Sequence, residues 1–338
     1  MSEQFAEPSP QLFFDTVNAY QRTAALRAAI ELNLFTAVGE GNETTAELAR
    51  ACQASERGLR ILCDYLVVLG FLSKQDDRYR LTPDSKMFLD RRSQAYVGGA
   101  IEFLLSPMLT EGFKDVAAAV RRGGTVMSEE GTVAPEHPVW VHFARAMAPL
   151  MRMPAQLMTK LIDYDPDRKL KVLDIAAGHG VFGIAVAERF PNAEIIALDW
   201  PNVLEVAREN AQRAGVGTRY STLPGSAFEV EFGSNYDLIL LTNFLHHFDE
   251  ATCVRLLEKA HGALAEGGRA VTLEFVPDED RVAPPGAAGF SLVMLASTPH
   301  GDAYTFTELE RMFKKAGFSQ SELHELPPTF QRVVISEK

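Results

Sequence analysis

Apolar residues along this chain change their spacing near residue 170, and the two spacings predict two architectures. Over residues 11–38 they recur at helical intervals, with Leu26, Ala29, Ile30 and Leu34 on one face, which predicts a helix ending near Leu34. Thr44 and Glu47 form a capping-box pair at the start of TAELARAC. Ser55 opens a second helix whose stripe is Leu59, Leu62, Leu66 and Leu69, and Gly70 stops it. FLSK and RYRLT follow as strands around the polar turn Gln75-Asp76-Asp77, so residues 44–82 read as a helix-turn-helix with a β-wing. Residues 95–165 look helical, with breaks at Pro107, at Gly123-Gly124 and over 135–138. The polar DYDPDRK, residues 163–169, reads as a boundary. The chain is thus expected to divide into residues 1–100, a helical connector over 101–165, and 166–338.

From Lys171 onward short apolar runs alternate with helical stretches, the pattern of a parallel sheet wrapped by helices. Pro201 and Gly215 frame one helix, Asp249 and Gly267 another, and Thr305 with Glu308 caps a third that ends at Gly317. DLILLT and AVTLEF are the fourth and fifth strands of this region. SELHEL and FQRVVIS, either side of Pro327-Pro328, read as a hairpin that adds an antiparallel strand.

Composition narrows the partners. The 338 residues are 46% hydrophobic and carry 33 Lys and Arg against 45 Asp and Glu, a net charge of −12. Nucleic-acid backbones and anionic membranes are poor partners for such a chain. The winged pattern raises a DNA-reading hypothesis, but residues 1–100 hold 11 Lys and Arg against 13 Asp and Glu, a balance of −2, and the would-be recognition helix pairs Arg57 and Arg60 with Glu56 and Asp64. A dimer surface built from the apolar helices of residues 11–38 is the preferred use. Cys52, Cys63 and Cys253 are scattered, with no C-x-x-C, as expected of reduced thiols. With no basic-then-apolar leader and no apolar run of membrane-spanning length, the cytoplasm is the expected compartment.

The chemistry centres on KVLDIAAGHGVFG, residues 171–183. Val172, Leu173 and Ile175 end at small residues, and Gly178 and Gly180 open a helix near Val181, so backbone N–H groups at a helix start face a ligand without an intervening Cβ. Gly178, Gly180 and Gly183 also satisfy the G-x-G-x-x-G spacing of dinucleotide folds, and Asp199, ending the next strand, would hold ribose hydroxyls of either cofactor. Asp174 discriminates. A dinucleotide fold has an apolar residue at that point in the strand, whereas an acid there suits the D-x-G-x-G-x-G loop of S-adenosylmethionine (SAM) enzymes.

Ligands of open α/β sheets bind beyond the carboxyl ends of the strands. Those ends here carry Asp174 to the glycines, Asp199-Trp200, Gly225-Ser226-Ala227-Phe228, Asn243 with the histidines of NFLHHF, and Glu274. Trp200 and Phe228 are candidates to flank an adenine ring or to join the core. Adjacent residues such as His246 and His247 are expected to point apart, and no Cys or His partners accompany them, so no metal is expected. Glu274, one strand over at about 4.8 Å spacing, is within reach of His246 and would orient its imidazole as a general base.

In order and spacing, the glycine loop, the Asp199-x-Pro step, LHHFDEATC and Glu274, with the winged helix and FARAM before them, resemble the SAM-dependent small-molecule O-methyltransferases shared by plant phenolic enzymes and bacterial antibiotic-tailoring enzymes. The resemblance implies an α/β, Rossmann-like class I methyltransferase sheet of seven strands, its last hairpin antiparallel. It also implies an N-terminal α-helical winged-helix domain that makes a homodimer. It assigns His246 as catalytic base and Glu274 as its partner. Asp174, Ala176, Gly178, Gly180, Asp199, Trp200, Ser226, Ala227, Phe228, Thr242 and Asn243 would surround SAM, while Phe143, Met147, Met294 and Thr298 would line the acceptor pocket. Four departures stand out: Ala176 and Ala177 replace loop glycines, Ser226 replaces an adenine-binding Asp, His247 replaces the Asp after the base, and Ala303 falls where the plant enzymes place a second carboxylate. Methyl transfer to a hydroxyl of a small, largely apolar molecule is the expected activity. C- or N-methylation, a nicotinamide-dependent oxidoreductase and a DNA-binding regulator are the alternatives.

Overall fold

In the first third of the chain the helical pattern resolves into shorter pieces than the spacing predicts. The computed structural model describes residues 8–338 apart from 135 and 138, so breaks expected at those two prolines lie outside the described residues. Helices Gln11–Val17, Ala19–Glu31 and Leu34–Gly39 replace the expected helix ending near Leu34. Asn33 takes a left-handed φ of 56°, which asparagine tolerates, so Leu34 begins a helix instead of closing one. The expected face survives the break, because Ala29, Ile30 and Leu34 are all buried. Thr44 and Glu47 make the reciprocal capping box, and Ser55 caps helix Glu56–Val68, whose Leu59, Cys63 and Leu66 enter the same core. Strands β1 (Leu72–Gln75) and β2 (Arg78–Leu81) pair antiparallel through Asp76 and Asp77, both left-handed, as a two-residue hairpin requires. Several basic groups a DNA reader would present are paired within the unit: Arg60 with Asp64, and wing residues Arg78 and Arg80 both with Glu43.

The chain divides into two units, Met1–Ile101 and Glu102–Lys338. DYDPDRK, expected as a boundary, lies inside the second. It joins the long helix Val139–Lys160 to β3 (Lys171–Ile175) and is tied down there, the Tyr164 hydroxyl donating to the Asp237 carbonyl at 3.1 Å and Arg168 pairing with the Asp237 carboxylate at 2.6 Å.

The second unit is built on a seven-stranded sheet. After β3 come β4 (Glu194–Asp199), β5 (Tyr220–Pro224), β6 (Tyr236–Thr242), β7 (Leu264–Glu274), β8 (Gln320–Glu325) and β9 (Arg332–Glu337), in the order β5-β4-β3-β6-β7-β9-β8. The first five are parallel and the final hairpin inserts β9 antiparallel to β7. Val172, Leu173 and Ile175 are fully buried, as parallel strands covered by helices on both faces must be. The strand order reverses between β3 and β6, so the ligand crevice is expected at their carboxyl ends. Gly267 does not end a helix. Helix Glu250–Ala263 stops earlier, and Gly267, at φ 68°, lies in β7 where the register jumps from Tyr236↔Leu264 to Leu238↔Arg269. The signal was real, but it marked a bulge.

Thr305 caps helix Phe306–Lys315 in a second capping box with Glu308. Thr305→Ala is expected to lower unfolding stability by about 1 kcal/mol, read from the denaturant midpoint; an unchanged midpoint would remove the cap from the account.

Candidate active site

The β3 carboxylate leads the site. Asp174 is fully buried; its Oδ2 accepts from the Gly183 N–H at 3.0 Å, and its Oδ1 has no partner among the described residues. A Cβ on Gly183 would fall 2.8 Å from that Oδ2 and 2.9 Å from the Ile195 side chain, so the third glycine of the spacing admits both the carboxylate and the neighbouring strand's isoleucine. Gly178 and Gly180 both have positive φ, and so does Ala176, at 54°, where an alanine is strained. The Gly178 N–H donates to Asp199 Oδ2 at 2.8 Å, and the Trp200 N–H donates to Oδ1 at 2.7 Å. Burial pushes Asp174 up to about 7, with the nearby Asp199 adding to it, and pushes Asp199 up to about 6. Neither carboxylate contacts a Lys or Arg among the described residues. Of the two, Asp174, a buried acid without a cation, suits a cationic ligand and opposes the pyrophosphate of a dinucleotide, while an acid at Asp199 fits either cofactor.

His179, inside the loop, went unremarked in the sequence. Burial pushes its imidazole down to about 4, and its neutral Nδ1 accepts from the Val181 N–H at 3.2 Å. Phe143 of the long helix stacks on it with centroids 5.8 Å apart. Met147, from the same helix, and Met294 are buried. Half-buried Trp200 packs against the small cluster of Ala144, Val203 and Val206, as do Trp140 and Val141.

At β5 the Ser226 hydroxyl accepts from the Phe228 N–H at 3.2 Å, while Phe228 remains 39% exposed and edge-on to Phe248 at 5.0 Å. Ala227 is buried, its carbonyl accepting from Lys259 at 3.1 Å. Beyond β6, Thr242 is buried, and Asn243, at φ 54°, has its side chain engaged with Gln331 (2.5 Å) and the Met151 sulfur (3.9 Å).

Glu274 and His246 are brought together. His246 Nδ1 lies 2.6 Å from Glu274 Oε2, both side chains are about 95% buried, and Glu274 Oε1 accepts from the N–H groups of Phe244 and Leu245 at 2.9 and 2.8 Å. His247 does not point away. In the 3₁₀ turn Leu245–His247 the two rings approach to 4.2 Å, and Trp140 meets His247 edge-on at 5.1 Å. Burial, with His246 beside it, holds His247 well below its ordinary value. Phe290 closes on His246 at 4.9 Å and stacks on Phe275 at 3.8 Å, a pair the sequence reading missed. Thr298 is fully buried; its hydroxyl donates to the Met294 carbonyl and accepts from the Gly301 N–H. Ala303 is buried and offers no second carboxylate. No group of three His, Cys, Asp or Glu able to hold a metal occurs among the described residues.

Residues 114–319 match the O-methyltransferase domain family, and residues 14–91 match the O-methyltransferase dimerisation domain. The chain belongs to the O-methyltransferase family. A solved putative O-methyltransferase from Nostoc punctiforme is 62% identical, covers 98% of this chain and 100% of its own, and superposes with a TM-score of 0.94. Human N-acetylserotonin methyltransferase, solved in complex with SAM, has a TM-score of 0.85 at 23% identity, covering 100% of this chain and 99% of its own. Among curated proteins, 3-hydroxy-5-methyl-1-naphthoate 3-O-methyltransferase of Streptomyces sahachiroi is 28% identical over 92% of this chain and 90% of its own length. The methyltransferase family decides between the two cofactors that the glycine spacing admitted. No helix among the described residues is long and apolar enough to cross a membrane.

Asp174 gives this methyltransferase a pH signature. Its folded value, about 7, exceeds its ordinary 3.8, so the stability it contributes is full below pH 4 and is lost as pH rises to about 7. Asp174→Asn should match wild type near pH 4 and exceed it at pH 8 by roughly 2–4 kcal/mol, while binding SAM more weakly. Equal denaturant midpoints at pH 8 would contradict the buried, unpaired carboxylate.

Proposed function

We propose that this SAM-dependent O-methyltransferase carries the methyl group to a phenolic or enolic hydroxyl of a small, largely apolar acceptor, with His246 as general base. The observation that carries the reading is the buried His246–Glu274 contact at the carboxyl ends of β6 and β7, on the sheet edge where the glycine loop also lies. SAM, when bound, supplies an electrophilic methyl group on a sulfonium. Asp199 is suited to its ribose hydroxyls, Gly178 and Gly180 to close backbone approach, and exposed Phe228 to its adenine. Asp174 supplies the negative charge that a cationic ligand requires. Phe143, Met147 and Met294 give the acceptor an apolar wall.

Glu274 keeps Nδ1–H pointed at itself, which leaves Nε2 to receive the acceptor's proton. The proton balance sets the acceptor class. A free histidine has a pKa of about 6.5 and a phenol about 10, so transfer is uphill by roughly 3.5 units, about 5 kcal/mol, which is manageable when the proton leaves with methyl transfer. An alkyl alcohol, near water's ~15.7, raises the gap to roughly 9 units, beyond the ~10²–10⁴-fold that general-base catalysis contributes.

His246→Ala is therefore expected to lower turnover of a phenolic acceptor by about 10²–10⁴-fold with SAM affinity nearly unchanged, and Glu274→Gln to do less harm. Incubation with labelled SAM and a panel of phenols, enols, amines and alkyl alcohols tests both halves. Near-normal phenol methylation by His246→Ala sinks the base, and efficient alkyl-alcohol, carbon or nitrogen methylation sinks the acceptor class.

The N-terminal unit is proposed to form a homodimer. Helix Gln11–Val17 has no buried residue and exposes Leu12, Phe13, Phe14 and Val17, more apolar surface than a solitary short helix leaves in water. Replacing Phe13 and Phe14 together with Asp should convert a sedimenting dimer to monomer at micromolar concentration. A wild-type monomer, or a doubly substituted chain that remains dimeric, speaks against this surface.

A further inference from the structure

We propose that Gly301 is a positioning residue for His246, a role that rests on the reading of His246 as base. A Cβ on Gly301 would lie 2.6 Å from Thr298 Oγ1 and 3.1 Å from the His247 carbonyl carbon, and closer still to the His246 carbonyl oxygen. Gly301 lies outside the left-handed region, so it is this contact, not backbone conformation, that demands glycine. Its backbone therefore forms the floor on which the 3₁₀ turn Leu245–His247 rests.

The floor is itself clamped. The Thr298 hydroxyl accepts from the Gly301 N–H at 2.9 Å while donating to the Met294 carbonyl at 2.8 Å, tying Gly301 to helix Phe290–Ser297. From the other side, the Thr125 N–H donates to the Thr298 carbonyl (2.9 Å), its hydroxyl to the Ala296 carbonyl (2.8 Å), and the Thr132 hydroxyl to the Ser297 carbonyl (3.2 Å). Gly124 and Gly131 admit this approach, since a Cβ on either would strike the Pro299 or Ser297 carbonyl. The acceptor wall and the base are thus one mechanical piece. Glu274 fixes His246 from the ring side and Gly301 fixes it from the backbone side.

Bringing a Gly301→Ala methyl group to ordinary contact moves the His246 backbone on the order of 1 Å, a misplacement that can cost ~10²-fold in turnover. The test uses the full chain with ¹⁵N-labelled histidine rings, His246→Ala assigning the His246 signals. Gly301→Ala is expected to shift both His246 ring nitrogens as the Glu274 contact lengthens, with SAM affinity by calorimetry unchanged. Thr298→Val, which removes the hold on Gly301 without adding bulk, should shift them in the same direction by less. Wild-type His246 signals in folded Gly301→Ala overturn the proposal, and if that variant does not fold, wild-type signals in Thr298→Val do so. The base reading fails separately: shifted signals together with an active His246→Ala would leave the positioning intact and remove the base.

Discussion

The arrangement at the sheet's edge depends on one carboxylate bonded on both oxygens. Glu274 ends β7, and the paired Thr242↔Leu273 register sets it beside the turn that follows β6. One oxygen takes the two amides that open that turn, and the other takes the imidazole. Backbone amides that neighbouring strands cannot pair are thereby satisfied by the same group that orients the His246 ring, and both oxygens of a buried carboxyl group find partners. Remove the carboxylate and two buried N–H groups lose their partner along with the imidazole. A glutamine retains one acceptor oxygen, which is why it is the gentler substitution.

The other half of the site inverts this logic. Glu274 is satisfied, whereas Asp174 keeps one oxygen without a partner and sits beneath a loop whose Ala176 holds a strained φ. Both features oppose stability and both lie where the cofactor's charge is expected. A fold that only needed to be stable would place an apolar residue on β3 and a glycine at 176. Strain and unpaired charge concentrated at one loop indicate a site completed by its ligand.

Much of this was legible in the sequence because the determinants are local. Capping boxes at Thr44 and Thr305 and the buried run Val172-Leu173-Ile175 each act within a few residues and formed as read, and the hairpin formed with its turn narrowed to Asp76-Asp77, Gln75 joining β1. The reach from Glu274 to His246 was also legible, since strand spacing alone supplies it. What the sequence concealed depends on tertiary approach. Asn33 looks like any helical residue until its φ is known, and Gly267 signals a stop without saying whether helix or ladder is interrupted. The closeness of His247 to His246 follows from a 3₁₀ turn that periodicity does not report. Gly301 is the extreme case: an unremarkable loop glycine whose reason lies across the fold, in another residue's carbonyl.

Gly183 shows why spacing alone misleads about cofactors. In a dinucleotide fold the third glycine lets helix and strand pack closely. Here it does the same toward Ile195 of β4, and it also makes room for a carboxylate oxygen of Asp174 on β3. The motif therefore records only that something on β3 approaches the helix. Whether that something is an alkyl group or an acid decides whether the loop can tolerate a pyrophosphate or calls for a cation. The residue that β3 presents to the helix, not the pattern of glycines, separates the two cofactors, and at Asp174 that residue is an acid.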